Sequence, residues 1–323
     1  MKRILIFIIS IVFTMVFISG CSMNKATLKE VAKYKKEILL KNNQNTYKKD
    51  NVFEDITYKF VDGQELKLDI YMANVLDDEK RPAIVYVHGG FWAFGNKKSE
   101  IPYFKDLINI LNNKGFTFVS IDYRLTNKNT KFPEPVKDVK DAIRWLRKNA
   151  VSYNIDENKI GICGNSAGGH LALLEGLTDD SMYLGNEDLK NISSKVNFII
   201  SFFGPTDLTL VKGKKYTATT KNLIGGTIND MKDIYINASP MYCLSENTPP
   251  ILLIHGEKDT IVPISQSKAL YEKSKSLGID VEFVPVKNAS HGLISTAGEI
   301  NPSLNDITNK VILFIEDKFK NDN

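Results

Sequence analysis

The segment Gly164-Asn165-Ser166-Ala167-Gly168 constrains this chain more than any other. It lies between a short apolar run, Ile160-Gly161-Ile162-Cys163, and residues 167–177, which read as a helix. A Gly-x-Ser-x-Gly between strand and helix is the pattern of a nucleophile elbow, a sharp turn that exposes the serine hydroxyl. Such a turn holds the serine in a strained backbone conformation. Positions two residues to either side then have little room for a side chain, and glycine meets that need. The helix start also directs unpaired N–H groups and a positive dipole end toward the reacting atom. A glycine-serine turn with no chemistry reads the same over five residues, so the rest of the chain must supply partners.

The chain has 323 residues, 43% hydrophobic and 25% charged, which is enough for one large α/β domain or two small ones. Residues 56–60 and 66–71 alternate with period two around Asp62-Gly63, which predicts an antiparallel hairpin. Residues 83–87 form the continuous apolar run of a strand covered on both faces. Further strands are predicted at 116–121, 198–203, 251–254 and 281–286. Helices are predicted at 101–112 and 135–149, at 266–277 with Ser265 as cap and Gly278 as stop, and at 302–319 with Asn301 as cap. This order predicts an α/β fold: a mostly parallel twisted sheet with an antiparallel N-terminal hairpin, helices on both faces and a small helical insert over 208–239. Gly225-Gly226 within the insert reads as a hinge or a turn.

In such sheets ligands sit at the carboxyl ends of the strands. His88-Gly89-Gly90-Phe91-Trp92 follows the strand at 83–87. Its adjacent glycines let backbone N–H groups of Gly89 and Gly90 approach a bound oxygen, and with the N–H of Ala167 they would form an oxyanion hole; a plain tight turn is the competing reading. Asp259 follows the strand at 251–254, and His291 follows the last strand. Ser166, Asp259, His291 is the serine-acid-histidine order of α/β hydrolases. Asp207, also just past a strand, competes for the acid role and otherwise caps the segment after it. Of four histidines, His88 is expected to brace the glycine loop, His170 to pack one turn after the serine, and His255 to bond to backbone in the core. That leaves His291 as the base.

The region from about residue 55 to 318 resembles the α/β-hydrolase esterases of the hormone-sensitive-lipase and feruloyl/acetyl-xylan-esterase-like type. The residues that carry the resemblance are His88-Gly89-Gly90, Asp122-Tyr123-Arg124-Leu125, Phe132-Pro133, Asp138 with Ala142-Ile143-Arg144-Trp145-Leu146, Gly164 through His170, Ala238-Ser239-Pro240, His255-Gly256 with Asp259, and His291-Gly292. The resemblance implies a Ser166-His291-Asp259 triad and oxyanion donors from Gly89, Gly90 and Ala167; acyl transfer through such a triad requires no cofactor, and no Cys/His cluster has metal-ligand spacing. Many relatives carry a third glycine where Phe91 stands. Phe91-Trp92 is closer to an aromatic version seen in some carboxylesterases and formamidases, which leaves ester and aryl-formamide substrates both open. Phe91, Trp92, Tyr123 and Phe203 are expected to wall the substrate pocket or to lie in the core.

The first twenty residues differ from the rest. Lys2-Arg3 precedes an apolar run over 4–18, and Ile18-Ser19-Gly20-Cys21 follows. This reads as a secretory signal over 1–20 ending in a lipobox-like sequence, with Cys21 the lipidated residue and an uncleaved anchor helix the alternative. Residues 25–50 carry eight lysines against three acids, whereas residues 51–323 carry 32 basic against 35 acidic residues. The excess positive charge therefore belongs to a juxtamembrane linker over 21–50, which argues for anionic lipid and against nucleic acid as partner of the domain over 51–323. Cys163 and Cys243 are expected as reduced thiols. The expected protein is a tethered, exported serine esterase acting on short-chain esters, possible acetyl or feruloyl groups on carbohydrate among them. The other readings are an arylformamidase-like amide hydrolase and a surface-binding lipoprotein that has kept a dead hydrolase fold.

Overall fold

The computed structural model describes residues 51–75, 79–210 and 214–320. The expected signal, Cys21 lipidation site and basic linker lie outside them. Eight strands form one sheet in the order β1-β2-β4-β3-β5-β6-β7-β8. β1 (Val52–Val61) and β2 (Gln64–Tyr71) are the antiparallel hairpin, and β2 pairs antiparallel with β4 (Thr117–Ile121). From β4 onward the sheet is parallel through β3 (Arg81–Val87), β5 (Ile155–Asn165), β6 (Ile199–Phe202), β7 (Ile251–Gly256) and β8 (Val281–Val286). This is the α/β-hydrolase fold, with the elbow strand β5 near the middle of the sheet.

Side chains of each buried strand alternate between two apolar layers. In β3, Val85 and Val87 join one layer while Ile84 and Tyr86 join the other. The first layer takes α2 (Glu134–Lys148) through Val136, Val139, Ile143 and Leu146, and α3 (Ala167–Leu177) through Leu171 and Leu174. The second takes α1 (Ile101–Asn113) through Ile108 and Leu111, and the C-terminal helix α7 (Leu304–Lys320) through Ile307, Val311, Phe314 and Ile315. α3 is buried on almost every side, as expected of a helix without a polar face.

The insert is helical, with α4 (Lys214–Ile224) and α5 (Lys232–Asn237) joined through a turn at Gly225. It is fastened to the body. Phe132 N donates to Leu223 O at 2.8 Å, Asn222 Nδ2 donates to Thr126 Oγ1 at 2.9 Å, and Leu223 is fully buried. Two expected caps are corrected. Ser265 is the first residue of α6 (Ser265–Ser276), after Ile264. Asn301 instead bridges to Lys287, and α7 is entered through Ser303, whose Oγ accepts from Asp306 N while Ser303 N donates to the Asp306 carboxylate. That reciprocal pair is a capping box, which outbids a lone asparagine two residues earlier.

A buried ion network pins the hairpin edge to α2. Asp138 is fully buried and accepts from Lys59 Nζ at 2.7 Å and from Arg124 Nε at 2.8 Å; Lys59 also reaches Asp141 at 2.6 Å. Removing one partner of such a set strands the others in low dielectric. Asp138→Asn is expected to lower unfolding free energy by about 3 kcal/mol, read by urea denaturation; a loss below about 1 kcal/mol would show that these charges are solvated well enough to stand alone.

Candidate active site

The elbow is built as its glycines require. Ser166, between β5 and α3, has φ +51° and ψ −119°, a conformation that costs a non-glycine residue strain. A Cβ on Gly168 would stand 2.0 Å from Val87 O, and one on Gly164 would stand 2.4 Å from Gly168 O. The first turn of α3 thus lies against the end of β3 with no room for a methyl group.

The strand-end loops bring three side chains together. His291 Nε2 lies 2.9 Å from Ser166 Oγ, and His291 Nδ1 lies 2.7 Å from Asp259 Oδ2. The second carboxylate oxygen of Asp259 accepts from the backbone N–H groups of Ile261 and Val262, each at 2.9 Å. Burial alone would raise the Asp259 pKa; the neighbouring His291 and the hydrogen bonds from His255 and His291 outweigh it and hold the carboxyl well below its usual range. An ionised Asp259 calls for a proton on Nδ1 of His291, which leaves Nε2 as the acceptor facing the serine. Phe203 packs edge-on to the His291 ring at 4.8 Å between centroids.

Asp207 takes no part in this chain. Its Oδ1 accepts from Thr209 N and Thr209 Oγ1 and so caps the short 3-10 turn over Leu208–Leu210. The other histidines have structural partners. His88 Nδ1 lies 2.7 Å from Gly89 O and its ring stacks on Tyr123 at 4.4 Å. His170 is held between Trp92 Nε1 at 3.1 Å and Ala238 O at 2.7 Å. His255 Nδ1 lies 2.8 Å from Ser267 Oγ, and its Nε2 lies 2.8 Å from Val262 O and 3.3 Å from Asp259 Oδ2.

The loop after β3 turns back sharply, with φ of +113° at Gly90, +54° at Phe91 and +59° at Trp92. A Cβ on Gly90 would meet Phe94 O at 2.1 Å. One expected donor is corrected here: the N–H of Gly89 is bonded to Glu100 Oε2 at 3.1 Å. Among the three expected donors this leaves Gly90 and Ala167, the latter the first residue of α3 with no acceptor inside its own helix.

A small cleft opens at the serine, with ≈ 200 Å³ of unfilled space including its mouth. Phe91, Trp92, Ser166, Ala167, Pro205 and Val262 line it. Phe91 and Trp92 were expected in its wall; Tyr123 and Phe203 are displaced from that role. Tyr123 is buried behind the glycine loop, with its hydroxyl 3.1 Å from His88 O, and Phe203 backs His291. Pro205 and Val262 were not foreseen. Each lies just past the end of a parallel strand, β6 and β7, so the strand-end rule that located Asp259 also reaches them.

Fold and elbow together define an α/β hydrolase with a serine at the strand-helix turn. The BD-FAE family matches residues 68–274, and the chain belongs to that family. It is similar to esterase LipC of Mycobacterium tuberculosis, at 27% identity over 230 residues, 70% of this chain and 56% of that one. The chain spans about half the length of the curated relatives it matches. Among solved structures, a truncated carbohydrate esterase from gut microbiota matches with a TM-score of 0.71 and 26% identity, over 85% of this chain and 99% of that one. Esterase 2 of Thermogutta terrifontis, solved with butyrate bound, matches with a TM-score of 0.65 and 28% identity, over 82% and 92% of the two chains.

Complete burial pushes the His170 pKa from 6.5 down to about 4. Between those values the unfolded chain binds the extra proton, so stability falls as pH drops through 6.5 toward 4, by up to about 3 kcal/mol from this side chain. Urea unfolding at pH 7 and pH 4.5 is expected to show a smaller acid loss in His170→Gln than in wild type. Equal losses would contradict a neutral, buried His170.

Proposed function

We propose that the chain is a serine esterase that removes short acyl groups from small ester substrates, with acylated carbohydrate the leading substrate class. The observation that carries this reading is the unbroken hydrogen-bonded line Ser166–His291–Asp259 at the mouth of a small cleft. His291 Nε2 takes the hydroxyl proton as Ser166 Oγ attacks the ester carbonyl, and Asp259 holds the imidazole tautomer and stabilises the cation that forms. The carbonyl oxygen, now negative, is met by the N–H groups of Ala167 and Gly90; each such donor is worth roughly 10²–10³ in rate. His291 then returns the proton to the departing alcohol. Water enters, His291 takes a proton from it, and attack on the acyl-enzyme releases the acid and restores Ser166.

The cleft supports a short acyl group, because Phe91, Trp92, Pro205 and Val262 close in on the serine. The carbohydrate side of the proposal rests on the gut carbohydrate esterase among the structural neighbours, and the short acyl side also on the butyrate-bound one. Phe91 in the wall favours one second reading, an arylformamidase-like amide hydrolase, in which an aromatic leaving group stacks there. The N-terminal sequence adds a location: export, diacylglyceryl modification of Cys21 and attachment on the outer side of a bacterial membrane.

Activity on p-nitrophenyl acetate, butyrate and octanoate, acetylated xylose and N-formylkynurenine separates these readings. Acetate and butyrate esters are expected to be cleaved fastest, with kcat lowered by about 10⁴ or more in Ser166→Ala and in His291→Ala. A folded wild-type protein inert on the whole panel would point to a binding role. Membrane fractionation of the full chain tests the anchor: Cys21→Ser is expected to move the protein out of the membrane fraction, and an unchanged distribution would contradict lipidation there.

A further inference from the structure

Beside the glycine loop, outside the set of residues that line the cleft, a carboxyl group joins three pieces of the site. Glu100 immediately precedes α1, 11 residues after Gly89. Its Oε2 accepts from Gly89 N at 3.1 Å and from the Tyr86 hydroxyl. Its Oε1 accepts from Asn165 Nδ2 at 3.0 Å, and Tyr86 Oη lies 2.8 Å from Asn165 Oδ1. The three side chains close a ring. Tyr86 stands on β3 one residue before Val87, and Asn165 directly precedes Ser166. The ring therefore locks the residue before the nucleophile to the residue before Gly90. Burial, with Glu100 close by, pushes the Tyr86 phenol well above its usual pKa, so it stays a neutral donor.

We infer that Glu100 is a positioning residue for the oxyanion hole, acting through Gly89 and Asn165 and touching no substrate. This rests on the serine-esterase reading above. Its physical basis is that the two N–H donors proposed for the oxyanion come from separate loops. Their spacing must match the tetrahedral intermediate, and backbone donors have no side-chain freedom with which to correct a misplaced loop. Glu100 bridges both loops, one residue from Gly90 on one side, and one from Ser166 and two from Ala167 on the other. The Gly89 N–H it engages fixes the His88–Gly89 peptide, one unit before the peptide that carries the Gly90 N–H, where the backbone turns to φ +113°. Neither the elbow pattern nor the Gly-Gly pair contains this constraint.

The test compares wild type, Glu100→Gln, Glu100→Ala and Tyr86→Phe on p-nitrophenyl acetate. A trifluoromethyl ketone serves as the probe of the oxyanion hole, and a thermal melt checks folding. Glu100→Gln keeps the size of the side chain but replaces one acceptor oxygen with an NH₂ donor, which faces either Asn165 Nδ2 or the Gly89 and Tyr86 donors, so that no orientation accepts from all three. It is expected to lower kcat by about 10- to 100-fold with KM changed less than about threefold, and to weaken the ketone by the same factor as kcat/KM. The acid limb of the pH profile should stay in place, because His291 and Asp259 are untouched. Tyr86→Phe removes one hydroxyl at constant shape and is expected to show a smaller loss of the same kind, which keeps the test open if Glu100→Ala does not fold. Folded Glu100→Gln with kcat/KM within twofold of wild type would overturn the inference. So would a loss of kcat with the ketone bound as tightly as before. A wild-type protein that hydrolyses no ester would instead overturn the esterase reading itself.

Discussion

The site depends on one close approach, the first turn of α3 pressed against the last carbonyls of β3. Backbone at Gly168 lies so near Val87 O and His88 O that any side chain there would displace one element. This contact does two things at once. It holds the half-buried Ser166 at positive φ, and it places the start of α3 beside the loop that begins at His88. The cost of the strained serine is offset by an apolar helix buried on nearly all sides and by parallel pairing of β5 with both β3 and β6. Non-glycine residues with positive φ gather here, at Phe91, Trp92, Ser166 and Phe203.

Electrostatics divides the histidines by what surrounds them. His170 is enclosed, its ring nitrogens occupied by Trp92 and Ala238, and burial keeps it neutral. His291 faces a depressed carboxyl on one side and a hydroxyl at the cleft on the other. His255 touches the same carboxyl from behind while its remaining contacts bind it to Ser267 and Val262. Both oxygens of Asp259 are therefore engaged, and of the two histidines it meets only His291, from the loop after β8, reaches the serine. Among the described residues no group of three His, Cys, Asp or Glu side chains is arranged to hold a metal ion.

The sequence made the architecture legible because its periodicities were clean: α3 and β8 fall on the residues expected, and the order of strands and helices required a parallel sheet with an antiparallel hairpin. Ser166, Asp259 and His291 were legible because strand ends are where open sheets place reactive groups, and the fold brings these three within hydrogen-bond reach. What stayed hidden was set by tertiary partners. A Gly-Gly pair announces close approach but not which N–H is already taken; in the sequence Gly89 is equivalent to Gly90, and only the fold brings Glu100 onto the Gly89 N–H. Tyr123 and Phe203 looked like pocket walls because aromatic residues after strands suit both a cleft and a core. The cap at Asn301 failed for a local reason, since Ser303 and Asp306 satisfy each other and start the helix later.

An elbow that holds Ser166 against His291 makes the serine an activated nucleophile if the triad operates. Reaction of the purified protein with a fluorophosphonate, followed by intact mass and peptide mapping, tests it most directly. One adduct per chain is expected, on Ser166, with labelling slowed severely in His291→Ala although the serine is still present. A folded wild-type protein that takes up no adduct, or that carries it on another residue, would contradict it.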